Sequence, residues 1–397
     1  MPVPLLDVNA QNHPLEAEFT AAFHRVFKTG HFIMGQEVTA FESEIARLVG
    51  ARHALGISSG TDAILLALMA LGIGPGDEVL CPAFTFFATA GCIARSGATP
   101  VFVDVCPVCF NLDTNDARKK VTARTKAIVP VHLFGQSADL DAIQNLASEH
   151  GLRVIEDAAQ ALGATYRGRS VGTVGDFGCY SFFPSKNLGG LGDGGLLVTE
   201  DDALADKARS LRNHGMNPKY YHADIGGNFR LDALQAAFLR VKIPHYGHYT
   251  AMRQANAVYY TETLLRETGI AEAEPEHCKC AKGQDDHLAT EGVKVVLPVS
   301  YPHNGHIWNQ YTLRVRGAGQ RDALRTHLAS LEIGCEIYYP LTMDQQACFT
   351  HLPESSRQGC EVAHRLAQEV LSIPVYPELQ PEQREEVVAA IVSFVNP

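Results

Sequence analysis

No stretch of these 397 residues approaches the roughly 20 consecutive apolar positions that a membrane-spanning helix requires. Charge of one sign is never concentrated either: 33 Lys and Arg stand against 44 Asp and Glu, a net charge of −11 spread without long blocks. That balance argues against nucleic acid or an anionic membrane as partner. The opening MPVPLLDVNAQNHPLEAEF has no basic segment ahead of an apolar one, so no secretory signal is expected. The chain therefore reads as soluble and cytoplasmic. Internal repeats and low-complexity tracts are missing as well.

The ten cysteines lack a regular framework, which suits reduced thiols. CPVC (Cys106, Cys109) follows a predicted strand, and HCKC (His277, Cys278, Cys280) lies in a polar segment near His287. The second pair lacks zinc-site spacing and nothing brings the two clusters together, so no metal is expected. Two nucleotide signatures are also absent. GIGPG (72–76) precedes a strand instead of following one, and GGLGDGG (189–195) lacks the Gly-Lys-Ser/Thr ending of a phosphate loop.

What is present is an alternation of helical and strand patterns from about 60 to 200. The sequence predicts strands at 77–82, 99–105, 125–133, 152–158 and 195–200, and helices at 61–71 and 137–151. Such βαβ spacing indicates a mostly parallel sheet, with ligands beyond the carboxyl ends of its strands. Further on, a helix is predicted at 230–246, a strand at 307–316 and helices at 320–333 and 383–395. The polar segment 271–296 reads as an exposed loop. The large domain is placed at 1–245, with an N-terminal helical segment, and a smaller α+β domain at 246–397.

Four short stretches carry chemistry. SSGTDA (58–63) leads directly into a helix, where free N–H groups make an anion site. VIEDAAQALGA (154–164) ends an apolar strand with acids, Asp157 among them, and AFTFFATA (83–90) offers aromatic faces. SFFPSKNLGG (181–190) sets Lys186 between aromatics and glycines. Singly, each has a plainer reading: capping by Ser59 or Thr61, a solvated cap at Asp157, core packing by the phenylalanines. Jointly they are the parts that hold pyridoxal 5′-phosphate (PLP): phosphate grip, ring stack, pyridine-nitrogen partner and Schiff-base amine.

Nearly end to end, the chain resembles the DegT/StrS-type sugar aminotransferases, fold-type I PLP enzymes of the aspartate aminotransferase superfamily. The resemblance rests on FIMGQEVTAFE (32–42), SSGTDAILLALMALGIGPGDEV, RTKAIVPVHLFGQ, VIEDAAQALGA, SFFPSKNLGGLGDGG, GGNFRLDALQAA and EVLSIPVYPEL. It implies an α/β fold, with a large domain built on a mostly parallel seven-stranded sheet flanked by helices, and a smaller C-terminal α+β domain. Lys186 would form the Schiff base and shuttle the proton. Asp157 would pair with the pyridine nitrogen, Gln160 would bond the ring's phenolic oxygen and Phe86 would stack on the ring. Gly60, Thr61, Asp62 and Ser181 would hold the phosphate. Asn228 would reach the phosphate of a neighbouring subunit, implying a homodimer with shared sites.

The implied reaction moves an amino group from L-glutamate through pyridoxamine phosphate to a nucleotide-linked keto-sugar. Lys219, Arg230 and Trp308 are the substrate-side candidates, with structural ion pairing equally open for Lys219 and Arg230. Same-fold alternatives are a keto-cyclitol aminotransferase or a sugar dehydratase; a further one is a catalytically silent PLP- or sugar-binding regulator. Some family members carry His at the lysine position and dehydrate, so Lys186 favours amino transfer. The chain departs from the family's YPxPLHxQ at YPLTMDQQ (339–346), where Thr342 and Asp344 replace Pro and His. It departs again at WNQY (308–311) and at Phe229.

Overall fold

The computed structural model describes residues 2–268, 271–272 and 295–396. Its centre is a seven-stranded sheet of β1 (His53–Ile57), β2 (Glu78–Pro82), β3 (Thr99–Val103), β4 (Thr125–Ile128), β5 (Arg153–Asp157), β6 (Phe177–Ser181) and β7 (Gly195–Thr199). The spatial order is β1-β7-β6-β5-β4-β2-β3, and only β7 runs against its neighbours. Apart from first residues such as His53 and Arg153, Lys126 in β4 and the last residue of β6, these strands are buried, as expected for a sheet covered on both faces.

The covering helices follow from their patterns. Helix Gly60–Ala70 is apolar on every side and buries Ala63 through Leu68, so it belongs in the interior. Helix Leu140–His150 instead buries one stripe, Leu140, Ile143, Leu146 and Ala147. Asp139 caps its start by accepting from the Ala142 N–H at 3.1 Å, and Gly151 ends it in the left-handed region.

Several predicted boundaries shift, each for a local reason. The strand expected over 125–133 stops at Ile128, because Pro130 offers no ladder N–H. The helix expected over 230–246 spans Ala233–Lys242 and tightens into a 3₁₀ turn at Ile243–His245, where Pro244 interrupts the bonding. The strand expected over 307–316 begins only at Tyr311, since Trp308 has a left-handed φ of 51°. Both ends of the 271–296 segment are strands, Ala271–Glu272 and the buried Val295–Leu297, and pair in parallel. His277, Cys278, Cys280 and His287 lie outside the described residues. Cys106 and Cys109 are buried, and among the described residues no group of three His, Cys, Asp or Glu could hold a metal.

The C-terminal elements share their own core of Tyr260, Leu313, Leu324, Leu371 and Ile391, joined by Val3 from the amino end. They are locked to the strand ends of the large sheet. Just beyond β3, the Asp104 carboxylate accepts from the N–H groups of Val362 and Ala363 at 3.0 and 2.8 Å, capping helix Glu361–Glu369 from another element. Among the described residues no helix is long and apolar enough to cross a membrane.

Candidate active site

The parallel strands deliver their carboxyl ends to one rim of the sheet, and the predicted residues gather there. Asp157 is the last residue of β5, Ser181 the last of β6, Phe86 follows β2 and Gly60 opens the helix after β1. Lys186 sits in the tight turn after β6, where its own N–H donates to the Phe183 carbonyl at 2.8 Å across Pro184 and Ser185. The two aromatics before it part ways. Phe182 is fully buried, edge-on to Phe41, while Phe183 is 53% exposed. The loop then closes on itself as the Gly190 N–H donates to the Phe182 carbonyl at 2.8 Å.

Desolvation lowers the Lys186 pKa to about 8; Asp157 opposes the shift and the cation of Arg253 adds to it. Burial raises Asp157, against the Thr89 hydroxyl, the Ala159 N–H and the charge of Lys186. The pair is therefore an amine that gives up its proton around pH 8, well below an ordinary lysine, near a carboxylate held in place by hydrogen bonds. Only the neutral amine attacks a carbonyl. Uptake of PLP by the apo-protein should accelerate about tenfold between about pH 7 and pH 9, with its midpoint near 8 instead of the ordinary 10.5. Stopped-flow absorbance across that range checks this.

The helix start is built for close approach. A Cβ on Gly60 would stand 2.9 Å from the Ser181 Cβ, so only glycine lets the first turn touch the end of β6. Ser59 caps the helix by accepting from the Asp62 N–H at 3.0 Å. The capping alternative therefore holds at Ser59. Asp62 is spoken for, which leaves Gly60 and Thr61 as first-turn donors by position. An open cavity of about 690 Å³ begins here, lined by Ser59, Thr61, Asp62, Asn228, Arg230 and Gln235. Asn228 and Arg230 therefore stand with their own chain's helix start. Arg230 Nη1 donates to Asn213 Oδ1 at 2.5 Å, and its buried Nε has no partner.

Gln160 is nearly buried and its amide is oriented from both ends: Oε1 accepts from the Phe134 N–H at 2.8 Å, and Nε2 donates to the Tyr339 hydroxyl at 3.1 Å. Tyr339 also leans on Phe86, with ring centroids 6.1 Å apart and planes at 44°. Two candidates are placed elsewhere. Trp308 is packed into the C-terminal core, stacked on His306 at 3.8 Å and on Tyr311 at 5.3 Å. Lys219 is exposed with its ammonium 4.9 Å above the Tyr220 ring. Thr342 and Asp344 are both buried; Asp344 meets His364 Nε2 at 2.6 Å, an internal contact, while the Thr342 hydroxyl has no partner among the described residues.

Sequence reading missed Thr89, His132, Arg253 and Tyr339. Thr89 lay inside a quoted stretch read only for its aromatics. Arg253 is buried in the unpredicted helix Tyr246–Thr268 and donates to the carbonyls of Trp308 and Asn309 at 3.3 and 3.2 Å.

An amine, a carboxylate and a carboxamide share the strand rim on which glycine lets a helix N-terminus touch Ser181, which carries a hydroxyl, and this donor set fits PLP. The model of the DegT/DnrJ/EryC1/StrS aminotransferase family matches residues 14–392. A pleiotropic regulatory protein of Geobacillus stearothermophilus is 45% identical over 394 residues, covering 99% of each chain. The UDP-N-acetyl-3-dehydro-alpha-D-glucosamine 3-aminotransferase of Acidithiobacillus ferrooxidans is 42% identical, covering 99% of this chain and 97% of its own. Among solved structures, S. venezuelae DesV in complex with a ketimine intermediate superposes with a TM-score of 0.89 at 38% identity, covering 100% of this chain and 99% of that one. The chain belongs to the DegT/DnrJ/EryC1/StrS family and is a fold-type I, PLP-dependent aminotransferase.

Proposed function

We propose that the chain transfers an amino group from L-glutamate to the keto group of a nucleotide-linked sugar, working as a homodimer with shared sites. The observation that carries this reading is the depressed amine of Lys186 near Asp157 at the strand rim, on which the helix start at Ser59 and Thr61 lines a cavity of about 690 Å³. PLP, when bound, supplies the electron sink that stabilises negative charge at the substrate's α-carbon. The chain's residues do the rest. Lys186 Nζ would remove the α-proton and return it two atoms away, on the far side of the nitrogen. The Asp157 carboxylate holds the proton on the ring nitrogen, and the Gln160 amide bonds the phenolic oxygen. The N–H groups of Gly60 and Thr61 and the Ser181 hydroxyl would hold the phosphate, while the Asp62 N–H, expected to join them, is taken by Ser59.

On the substrate side, Arg230 is the cation beside the cavity, suited to the diphosphate of a sugar nucleotide. Lys219, exposed with its ammonium over Tyr220, does not line that cavity and is left out of this role. Trp308 acts through its backbone, which anchors Arg253. The homodimer is supported by exposed apolar side chains near the site: Ile33 at 55%, Phe86 at 56% and Phe183 at 53%. In a dimer, Asn228 reaches toward the partner's phosphate.

The 42% identical relative is named for a UDP-linked 3-keto sugar, which supports this substrate class. The test is a panel of nucleotide-linked amino sugars run in reverse with 2-oxoglutarate, alongside amino-cyclitols. Turnover of a sugar nucleotide is the expected result; turnover confined to cyclitols overturns the reading. The 45% identical relative has a regulatory name, which raises a catalytically silent regulator. The presence of Lys186, Asp157 and Gln160 argues against that, and no turnover with any acceptor would favour it.

A further inference from the structure

Asp157 is joined to two buried threonines. Thr89 Oγ1 donates to Asp157 Oδ2 at 2.7 Å, and Thr85 Oγ1 lies 3.2 Å from Thr89 Oγ1. Thr85 is 1% exposed and Thr89 fully buried. The direction of the chain follows from counting protons. An ionised carboxylate has no hydrogen to give, so the single hydroxyl hydrogen of Thr89 goes to Asp157, and Thr89 can only accept from Thr85. A helical threonine ordinarily turns its hydroxyl back onto a carbonyl of the preceding turn. Thr89, in the first turn of helix Phe87–Arg95, uses it on the strand end instead.

We propose that Thr85 and Thr89 form a hydroxyl relay that keeps Asp157 ionised and fixes its rotation beneath the pyridine nitrogen, which makes Thr89 a positioning residue for amino transfer. This rests on the reading of Asp157 as the partner of that nitrogen. The other carboxylate oxygen, Oδ1, accepts from the Ala159 N–H at 3.2 Å, so each oxygen has one fixed donor. The remaining groups around Asp157 cannot replace Thr89. His132 accepts on Nδ1 from the Ala138 N–H at 3.1 Å and is thereby the neutral tautomer whose other hydrogen goes to Glu156. The thiols of Cys92 and Cys179 and the phenol of Tyr339 are pushed up by burial and stay protonated. Lys186 supports the charge only while it is itself charged, and its task as a base requires it neutral. Thr89 supports it throughout.

The test compares Thr89→Val, Thr89→Ser and Thr85→Val with wild type, measuring PLP affinity of the apo-proteins by absorbance titration from acid to neutral pH, with thermal unfolding alongside. Thr89→Val keeps the shape and loses the donor. It should weaken PLP binding roughly tenfold, the worth of a hydrogen bond to a charged group. Because Asp157 then protonates more readily, the acid limb of the affinity profile should move to higher pH. Thr89→Ser should restore both, and Thr85→Val should move the limb the same way by less. A folded Thr89→Val with wild-type affinity and an unmoved limb overturns the proposal. So does a serine variant as impaired as valine, which would mean packing and not the hydroxyl. If Thr89→Val does not fold, an unmoved limb in Thr85→Val overturns the relay. Wild type that takes up no PLP would instead strike the cofactor reading itself.

Discussion

Lys186→Ala should lower amino transfer by at least about 10⁴-fold while leaving the fold intact, since it removes both a nucleophilic amine and a positioned acid–base group. The loss should already be visible in the first half-reaction taken by itself. Mixed with glutamate and PLP, the variant should show no conversion of the cofactor's visible spectrum on the wild-type timescale. Lys186→Arg separates charge from chemistry. Arginine keeps a cation near Asp157 but stays protonated at every working pH, so it should be as inactive as alanine. Asp157 should respond in the opposite order. Without the ammonium its pKa rises further, because Lys186 is among the groups that hold it down. Alanine should therefore weaken PLP binding at acid pH more than arginine does. Substantial turnover by Lys186→Ala would remove Lys186 from the mechanism.

Lys186 was legible in the sequence because its surroundings are local. A turn-forming Pro, a buried Phe182 and glycines that close the loop all lie within ten residues. Asp157 was legible for a similar reason, as the last residue of an apolar run that could only be a buried strand. The partners that set their chemistry were not legible, because they arrive from elsewhere. Thr89 is 68 residues from Asp157, Tyr339 is 179 from Gln160, and Arg253 comes from another element altogether. No periodicity announces such meetings. The long helix Tyr246–Thr268 escaped because its polar and apolar residues do not segregate along the sequence: Arg253 and Asn256 are buried in it beside Tyr260. β1 and β6 escaped because each runs through a glycine, and β6 ends in serine, residues that carry little strand signal. Trp308 was a substrate-side candidate through the resemblance at WNQY, and no sequence pattern announced the left-handed backbone that seats its ring in the C-terminal core.

Glu156→Ala should cost the protein about 4 kcal/mol or more, a large share of a typical total of about 5–15 kcal/mol. Consecutive strand residues point to opposite faces, so the two acids that end β5 serve opposite sides of the sheet. Asp157 goes to the site. Glu156 goes to the loop 172–175, fully buried, where Oε1 accepts from the N–H groups of Val174 and Gly175 and Oε2 from Gly172, each at 2.7 Å, and from His132 Nε2 at 2.9 Å. Alanine would orphan four donors in a dry interior. Glu156→Gln keeps the shape but aims an NH₂ at donors, so it should cost less than alanine and still be measurable by urea unfolding. The pH dependence has a defined sign. Burial acts to raise the Glu156 pKa, but the His132 bond and the backbone donors outweigh it and hold the group below its ordinary 4.5. The unfolded chain therefore takes up the proton first. The contribution is complete above about pH 4.5 and lost as pH falls through the lower folded value. The gap in urea midpoint between wild type and Glu156→Gln should be full at pH 7 and narrow below about pH 4.5. A gap that stays constant into acid would mean the cost lies in packing and not in the charge. Because His132 bonds Glu156 through its ring and the Asp157 carbonyl through its own N–H at 3.0 Å, loosening one acid loosens the seat of the other. The glutamine variant should therefore also bind PLP more weakly, although Glu156 never meets it.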